Sequence, residues 1–337
     1  MEARLGLMGT GHAVGSTVVL NADIATNLGL SPNWFEARTG IVQRRHCGPG
    51  ENVLTLACDA IRAACSDAAV ALSELGAETV LIHTQNGVTA FTPPAGVAVA
   101  HALGLTRVRV LGIDGVCAEP LAAIEIAALL LAAGRCERVI VSAAADFTDV
   151  IRANDVNTAG LFGAGAGALV LSTAATTRVT INIKALEWQT HTEHAELGRI
   201  PIHNFRRHDN GVDVHAGYYD MDGQGLAGVA LRVLPQVVGR VLGEAGWARE
   251  DVDLVVAHQP NAKLLQIGVR RLGLSHASTP MPVRELGNMG PASLLVNMSL
   301  RASAGDLADG TNLLLVAFGL GFSCGVAALH VDVVQPA

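Results

Sequence analysis

Cys117 is the residue whose type and position best suit nucleophilic chemistry. It follows a short apolar run at 108–113, and Asp114-Gly115 predicts a sharp turn between them. The chain after Cys117 is rich in Ala and Leu, and Pro120 suits only the first turn of a helix. Backbone N–H groups and the dipole at a helix start stabilise an anion, so we expect a lowered thiol pKa. A small buried core cysteine would give the same local pattern.

Trp34, Arg38 and Thr39 form a second group that could do chemistry. They lie in a short helix that Ser31-Pro32 is expected to begin. A Trp ring, a guanidinium and a hydroxyl can together stack a flat ring and hold a phosphate. A turn with a half-buried Trp would contain the same residues.

Length and composition bound the class of protein. The chain has 337 residues, 50% hydrophobic and 16% charged, which suits two domains or one doubled domain with a large core. A net charge of −7 argues against a nucleic-acid surface. We expect no signal peptide and no membrane span, which would need roughly 18 apolar residues in a row. Six cysteines without C-x-x-C spacing indicate a reduced, cytoplasmic protein.

The glycine-rich run Phe162–Gly167 invites a dinucleotide-binding interpretation, which we reject. A Rossmann fingerprint lies between a strand and a helix, whereas here a strand is predicted to follow, at 168–171. These glycines are better explained by a close approach of backbones beneath a site.

The sequence pattern begins again near its midpoint. Asp253–His258 echoes Thr79–His83, and the glycine-rich run Phe318–Gly325 echoes the one at Phe162. We therefore predict two similar α/β halves, residues 1–173 and 174–337, each with buried parallel or mixed strands.

The internal repeat also predicts where a site lies. Gly287-Asn288 opens a helix in the second half as the segment before Cys117 does in the first. His83 and His258 fall on equivalent strands. If the halves pack with pseudo-twofold symmetry, these strand ends and helix starts meet near one centre, so a Cys, a His and an Asn come together.

Taken together, the motifs of this chain resemble those of β-ketoacyl-ACP synthase III, a thiolase-fold condensing enzyme, from about residue 3 to 332. The family's fold implies two similar α/β halves forming a five-layered α-β-α-β-α arrangement. The residues that carry the resemblance are Trp34, Arg38-Thr39-Gly40-Ile41, Cys117, Phe162-Gly163, His258-Gln259, Asn261, Gly287-Asn288 and Phe318–Phe322.

The resemblance assigns the catalytic roles. It implies that Cys117 is the acylated nucleophile and that His258 and Asn288 complete a triad. The backbone N–H groups of Cys117 and Leu320 are then expected to stabilise the oxyanion. His258 and Asn288 can donate to a second thioester carbonyl, or His258 can act as a base on an incoming hydroxyl or amine.

The resemblance also implies binding residues and partners. We expect no cofactor, an acyl-CoA or acyl-ACP substrate, and a homodimer in which Phe91 reaches the partner's acyl pocket. Carrier docking is expected on the helix after His258, through Lys263, Arg270 and Arg271. The residues implied to contact coenzyme A or its pantetheine arm are Trp34, Arg38, Thr39, Asn261 and Gln224.

Several residues depart from the family pattern. Glu119 stands where the family has glycine, Leu320 replaces glycine in the oxyanion turn, and Cys324 replaces a common Trp. Val156 occupies the place of a basic residue that helps to hold coenzyme A. Similar departures occur in ketosynthase-III-like acyltransferases of polyketide and other specialised-metabolite pathways.

We therefore predict acyl transfer from a carrier-protein or coenzyme A thioester, through Cys117, to an acceptor in polyketide or other specialised-metabolite biosynthesis, with small molecules among the candidate acceptors. The alternative is decarboxylative condensation of an acyl starter with malonyl-ACP. A second alternative is a catalytically silent thiolase-fold partner, which the presence of Cys117, His258 and Asn288 argues against. A third is a metal enzyme based on the histidine-rich stretch between His191 and His215, which lacks a regular ligand helix.

Overall fold

The computed structural model describes residues 3–87, 90–114, 116–173, 177 and 179–333, which form an α/β fold around a nine-stranded sheet. The strands are β1 (Ala3–Val14), β2 (Thr17–Leu20), β3 (Gln43–His46), β4 (Thr79–Asn86), β5 (Arg109–Gly112), β6 (Arg138–Ala145), β7 (Gly165–Thr173), β8 (Val179–Thr190), β9 (Gly198–Arg199), β10 (Ile202–His208), β11 (Gly211–Ala216), β12 (Asp220–Met221), β13 (Leu254–Ala257), β14 (Asn312–Gly319) and β15 (Ser323–Val333). The helices are α1 (Asn21–Asn27), α2 (Trp34–Thr39), α3 (Val53–Asp67), α4 (Ala95–Ala102), α5 (Glu119–Ala132), α6 (Gly223–Ala245), α7 (Ala262–Arg271), α8 (Val283–Leu286) and α9 (Ala292–Ser303).

The order of the strands repeats between the two parts of the sheet. The sheet runs β13-β14-β15-β8-β1-β7-β6-β4-β5, and antiparallel pairing of β1 with β8 joins its two parts. In the first part β4 pairs in parallel with β6, and in the second β13 pairs in parallel with β14. Leu254 of β13 also makes a parallel bridge to Ser278. This bridge corresponds to the parallel pairing of β4 with β5 in the first part of the sheet. Both parts therefore share one connectivity.

Three hydrophobic clusters divide the fold into five layers. The central cluster joins α5 and α9 to strands of both parts of the sheet. A second packs α3 and α4 on the outer face of the first part, and a third packs α6 and α7 on the outer face of the second. The predicted five-layered thiolase arrangement is confirmed.

Glycines in β1 allow the tight packing of α3. A Cβ on Gly9 would lie 2.4 Å from the backbone nitrogen of Ala68, and one on Gly11 would lie 2.3 Å from the backbone oxygen of Ala60. The backbone of α3 therefore packs directly on β1. The strand continues through Gly9-Thr10-Gly11, where the glycine-rich composition favours the end of a strand.

The central helices begin where the candidate residues lie. Cys117 stands two residues before the first residue of α5, Asn288 precedes α9, and His258 follows β13. The strand β5 departs from expectation because it is an edge strand and largely exposed in this single chain rather than buried. Gly115, in the predicted turn before Cys117, lies outside the described residues.

Two sequence expectations concern the extent of segments. By length and composition alone the helix α6 would be long and apolar enough to cross a membrane, although it contains no run of 18 apolar residues. Eight of its residues are buried, and they pack in the outer cluster of the second part of the sheet. The proposed boundary between halves at 173 and 174 adjoins residues 174–176, which lie outside the described part of the chain.

Candidate active site

One pocket of about 480 Å³ brings together the three candidate catalytic residues. Cys117, His258 and Asn288 all line it, as does Leu320 from the expected oxyanion turn. The pocket extends from these residues to the Trp34 side of the molecule. Its other lining residues include Arg38, Thr39, Phe147, Val156, Phe162, Tyr219, Met221, Gln224, Asn261, Leu264, Phe318 and Gly319.

Cys117 is a half-buried free thiol immediately before the N-cap of α5, Ala118. Burial raises its pKa to about 12, and the carboxyl of Glu119 adds to that shift. The residue's own backbone N–H favours the thiolate and opposes the rise. The expected lowering of the thiol pKa is therefore wrong, because desolvation outweighs the effect of the helix start. Attack by this sulfur requires removal of its proton during the reaction.

Gly319 at the end of β14 lies directly against the nucleophile. A Cβ at this position would be 2.9 Å from the backbone nitrogen of Cys117 and 3.1 Å from its Cβ. Only glycine leaves room for the strand end to approach so closely. This contact brings the Leu320 turn alongside Cys117, as an oxyanion site formed by the two backbones requires.

His258 is held in place by the sheet and by an aromatic neighbour. Its backbone N–H donates to the carbonyl of Val316 at 2.8 Å, and Phe318 contacts its ring edge-to-face with centroids 5.5 Å apart. Burial lowers the pKa of the imidazole to about 4, although the backbone carbonyl of Gly290 favours the charged form. His258 is therefore neutral at pH 7, with one ring nitrogen free to donate or accept a proton.

Asn288 is oriented by backbone on both sides. Its backbone N–H donates to the carbonyl of Leu161 at 2.8 Å, and its backbone carbonyl accepts from the N–H of Gly163 at 2.9 Å. The side-chain Oδ1 accepts from the N–H of Gly290 at 2.9 Å, which leaves the amide NH₂ as the group available to a ligand. Gly287 before it has a φ of +77°, a left-handed conformation that favours glycine. Asn288 therefore acts as a fixed hydrogen-bond donor at the pocket.

His83, the competing histidine on the equivalent strand, is not among the residues that line this pocket. Its Nδ1 is 3.2 Å from the hydroxyl of Ser142, and its Nε2 is 3.2 Å from Oε1 of Gln85. Both ring nitrogens are thus engaged within the fold. This arrangement fits a structural role and leaves His258 as the pocket histidine.

The residues expected to meet coenzyme A line the same pocket, and some of their groups are already engaged. The guanidinium of Arg38 lies 4.0 Å from the centre of the Trp34 ring. The Thr39 hydroxyl donates to the carbonyl of Phe35 at 2.7 Å, so it is not a free phosphate donor. Asn261 caps α7 through its Oδ1, and Gln224 lines the opposite side.

The other predicted contact residues are on the surface. Phe91 is 72% exposed and is not among the pocket residues of this single chain. Lys263, Arg270 and Arg271 are exposed on α7, whose first turn contributes Leu264 to the pocket. The basic side chains therefore lie on the surface of α7, outside the residues that line the pocket.

The sequence did not reveal an aromatic cluster that forms one wall of the pocket. Phe147 lies 4.8 Å from Phe162 and 5.8 Å from Tyr219, measured between ring centroids. Burial, with a smaller effect of Cys117, raises the pKa of Tyr219, which therefore stays a neutral phenol. Phe162 belongs to the glycine-rich run, whereas the other two lie in segments without periodic pattern, so only the tertiary fold unites them.

The histidine-rich stretch forms turns and hairpin strands. His203 and His215 face each other across β10 and β11, with ring centroids 5.5 Å apart, and the hairpin is largely exposed. The described residues contain no group of three or more His, Cys, Asp or Glu that could hold a metal ion. The metal alternative therefore has no ligand set in this part of the chain.

Sequence comparison adds independent information. The family model for 3-oxoacyl-[acyl-carrier-protein (ACP)] synthase III matches residues 111–191, and the model for the C-terminal part of that family matches residues 242–331. The β-ketoacyl-[acyl-carrier-protein] synthase III of Nitratidesulfovibrio vulgaris is 32% identical over 328 residues, which cover 96% of this chain and 98% of the relative.

Solved structures share the whole architecture. The 3-oxoacyl-(acyl carrier protein) synthase III of Pseudomonas aeruginosa PAO1 superposes with a TM-score of 0.84 at 25% identity, covering 98% of this chain and 99% of that one. A priming β-ketosynthase from a polyketide biosynthetic pathway gives a TM-score of 0.83 at 25% identity, covering 98% and 96%. Similarity therefore extends over both parts of the sheet and over the pocket between them.

Proposed function

The chain belongs to the 3-oxoacyl-[acyl-carrier-protein] synthase III family of acyltransferases, and on that premise we propose that it moves an acyl group from a thioester, through Cys117, to an acceptor in polyketide or other specialised metabolism. The observation that carries the proposal is the single pocket lined by Cys117, His258 and Asn288. The unpaired state of all six cysteines suits a cytoplasmic enzyme.

In the first half-reaction the sulfur of Cys117 attacks the thioester carbonyl. A new C–S bond forms, the bond to the donor's pantetheine sulfur breaks, and the thiol proton leaves with the departing thiol. The neutral imidazole of His258 can relay that proton, which matters because burial keeps the resting thiol protonated. Backbone N–H groups of Cys117 and Leu320 would stabilise the tetrahedral oxyanion.

In the second half-reaction His258 and the Asn288 amide meet the acceptor. For simple transfer, His258 takes a proton from an incoming hydroxyl, amine or thiol as that group attacks the acyl carbonyl; the bond to the Cys117 sulfur breaks, and the sulfur takes the proton from His258. For condensation, both side chains donate to the malonyl thioester carbonyl and stabilise the enolate left when carbon dioxide departs. The enolate carbon then attacks the acyl carbonyl, the bond to the Cys117 sulfur breaks, and the resulting thiolate is protonated. Glu119 and Leu320 differ from the family pattern, and we favour transfer for that reason. The relatives are named as 3-oxoacyl synthases, which favours condensation.

Carbon dioxide release distinguishes the two reactions. Acylated enzyme is incubated with ¹⁴C-malonyl carrier protein, and in parallel with unloaded carrier protein or a panel of hydroxyl and amine acceptors. We expect acyl transfer without carbon dioxide release. Stoichiometric release together with a 3-oxoacyl product would establish condensation instead. A Cys117→Ala variant serves as the control in both arms.

We propose that the donor arrives on an acyl carrier protein. Lys263, Arg270 and Arg271 are exposed on a helix whose start borders the pocket, in a chain with a net charge of −7. Opposite charge on an acidic carrier would steer the encounter. Val156, in place of a basic residue, lines the nucleotide end of the pocket and supplies no phosphate contact.

We also propose a homodimer. β5 is the edge strand of the sheet, and its Leu111 is 40% exposed. Phe91 is likewise exposed, beyond the neighbouring strand β4. An open edge with apolar side chains is suited to pair with a second copy. Light scattering at micromolar concentration should give twice the 34.8 kDa chain mass, and a mass of one chain would contradict the proposal.

A further inference from the structure

Glu119 is a buried carboxyl beside the nucleophile that the proposed reaction does not use. Its side chain is 8% exposed in the first turn of α5, two residues after Cys117. The hydroxyl of Thr84 donates to Oε2. Oε1 is buried and has no hydrogen-bond partner among the described residues.

A second unpaired oxygen lies on the strand that holds Thr84. Oδ1 of Asn86 is buried and likewise lacks a partner within the described part of the chain. Side chains two apart in a strand share a face, about 7 Å from each other, so Asn86 and Thr84 both face α5. Glu119, bonded to Thr84, and Asn86 therefore lie on the same face of β4.

The same face leads to the catalytic pocket. Asn86 pairs with Ala145 on β6, so the two side chains point to the same side of the sheet. Ala145 packs in one cluster with Phe147 and Phe162, and both aromatic rings line the pocket of Cys117. Asn86 and Glu119 thus lie on the side of the sheet that carries the aromatic wall, outside the residues that line the pocket, and Glu119 follows Cys117 by two residues.

Two buried acceptors without donors are costly. Each unsatisfied buried polar group destabilises a fold by about 1–3 kcal/mol, and native proteins contain few of them. Desolvation, together with a smaller effect of Asp114, raises the pKa of Glu119 to about 8, although the Thr84 hydrogen bond opposes the shift. With Oε2 accepting from Thr84, Oε1 can accept when the carboxyl is ionised and donate when it is protonated. A ligand hydroxyl, which both donates and accepts, would satisfy it in either state, and an ammonium would satisfy the ionised form.

We propose that Glu119 and Asn86 form a polar subsite that binds a hydrogen-bond donor, a hydroxyl or an ammonium, on the acyl group carried by Cys117. This inference rests on the proposed acylation of Cys117 and adds the class of acyl group. A saturated acyl chain leaves both oxygens unpaired, so the site discriminates against it.

Matched acyl donors test the subsite. Butyryl, hydroxybutyryl and aminobutyryl pantetheine thioesters, substituted at C2 or C3, share one carbon skeleton. Acylation of the intact enzyme is followed by mass spectrometry under single-turnover conditions. We expect at least one hydroxy or amino donor to acylate Cys117 about tenfold faster than butyryl, the effect of one well-made buried hydrogen bond.

Variants separate the two donor chemistries. Glu119→Gln keeps an acceptor oxygen but no charge, and Glu119→Met keeps neither. A preference that survives in Glu119→Gln but disappears in Glu119→Met identifies a hydroxyl, and one lost in both identifies an ammonium. Asn86→Leu should reduce the preference as well. Glu125→Gln, on the same helix but bonded to the Trp188 indole, is the matched control and should keep it.

The outcomes distinguish this inference from the proposed function. If no thioester acylates Cys117, the proposed function fails. If all donors acylate Cys117 at equal rates, or Glu119→Met retains the preference, the polar subsite is refuted while acyl transfer stands. Thermal unfolding of each variant, compared with that of wild type, establishes that the comparison is made on folded protein.

Discussion

Replacing Gly319 by alanine is the sharpest structural perturbation of the nucleophile. The residue has an extended backbone with a φ of −167°, so alanine meets no conformational penalty there. The added methyl would lie 2.9 Å from the backbone nitrogen of Cys117. Comfortable contacts between such atoms are about 3.5 Å, so the two backbones must separate by roughly 0.5–1 Å.

The effect of Gly319→Ala depends on whether β14 or the segment around Cys117 moves to make room for the added methyl. β14 is hydrogen-bonded to β13 and β15, so the displacement falls mainly on the segment around Cys117. A shift of about 1 Å at a reacting atom lowers rates by about 100-fold, and overpacking costs about 1–3 kcal/mol of stability. We expect Gly319→Ala to remain folded but to self-acylate about 100-fold more slowly.

The assay is single-turnover acylation followed by intact-protein mass, alongside denaturant unfolding. Gly243→Ala is the control, because a Cβ there meets nothing within 4 Å and helical alanine is stabilising. Wild-type acylation in Gly319→Ala, with folding intact, would refute the packing of the β14 end against the nucleophile.

Three further predictions concern the triad, pH and the carrier. Asn288→Asp keeps the acceptor for the neighbouring N–H but loses the donor; Cys117 should still acylate while the second half-reaction falls about 100-fold, and equal losses in both steps would contradict this. Burial lowers the pKa values of His83 and His258 to about 4, so the unfolded chain binds those protons more tightly. The free energy of unfolding should therefore fall as pH drops from about 6.5 to about 4, with a smaller fall in His83→Gln, as measured by denaturant titration. Lys263→Glu with Arg270→Glu should slow acylation by carrier-bound donor and abolish its salt dependence while sparing a pantetheine thioester; equal effects on both donors would argue against docking on α7.

The fold and the meeting of the triad could be predicted because the chain repeats itself. The echoes between Thr79–His83 and Asp253–His258 imply equivalent strands, and equivalent strand ends converge in a doubled α/β fold. The structure shows the repeated strand order and brings Cys117, His258 and Asn288 to one pocket.

Properties set by burial could not be predicted. The position of Cys117 at a helix start predicts a lowered pKa, but desolvation depends on the whole surrounding fold and reverses the shift. The buried carboxyl of Glu119 accepts a hydrogen bond from Thr84, 35 positions earlier in the chain. Tyr219 reaches the pocket from a short strand connection that has no pattern of its own.

The most direct test of the account locates the acyl group. The enzyme is incubated with acyl carrier protein thioesters and with short pantetheine thioesters, digested, and mapped by tandem mass spectrometry. We expect one acyl group per chain on the peptide containing Cys117, absent in Cys117→Ala and still formed in Asn288→Asp. An acyl group on Cys47, Cys58, Cys65, Cys136 or Cys324, or no acylation by any donor, would contradict it.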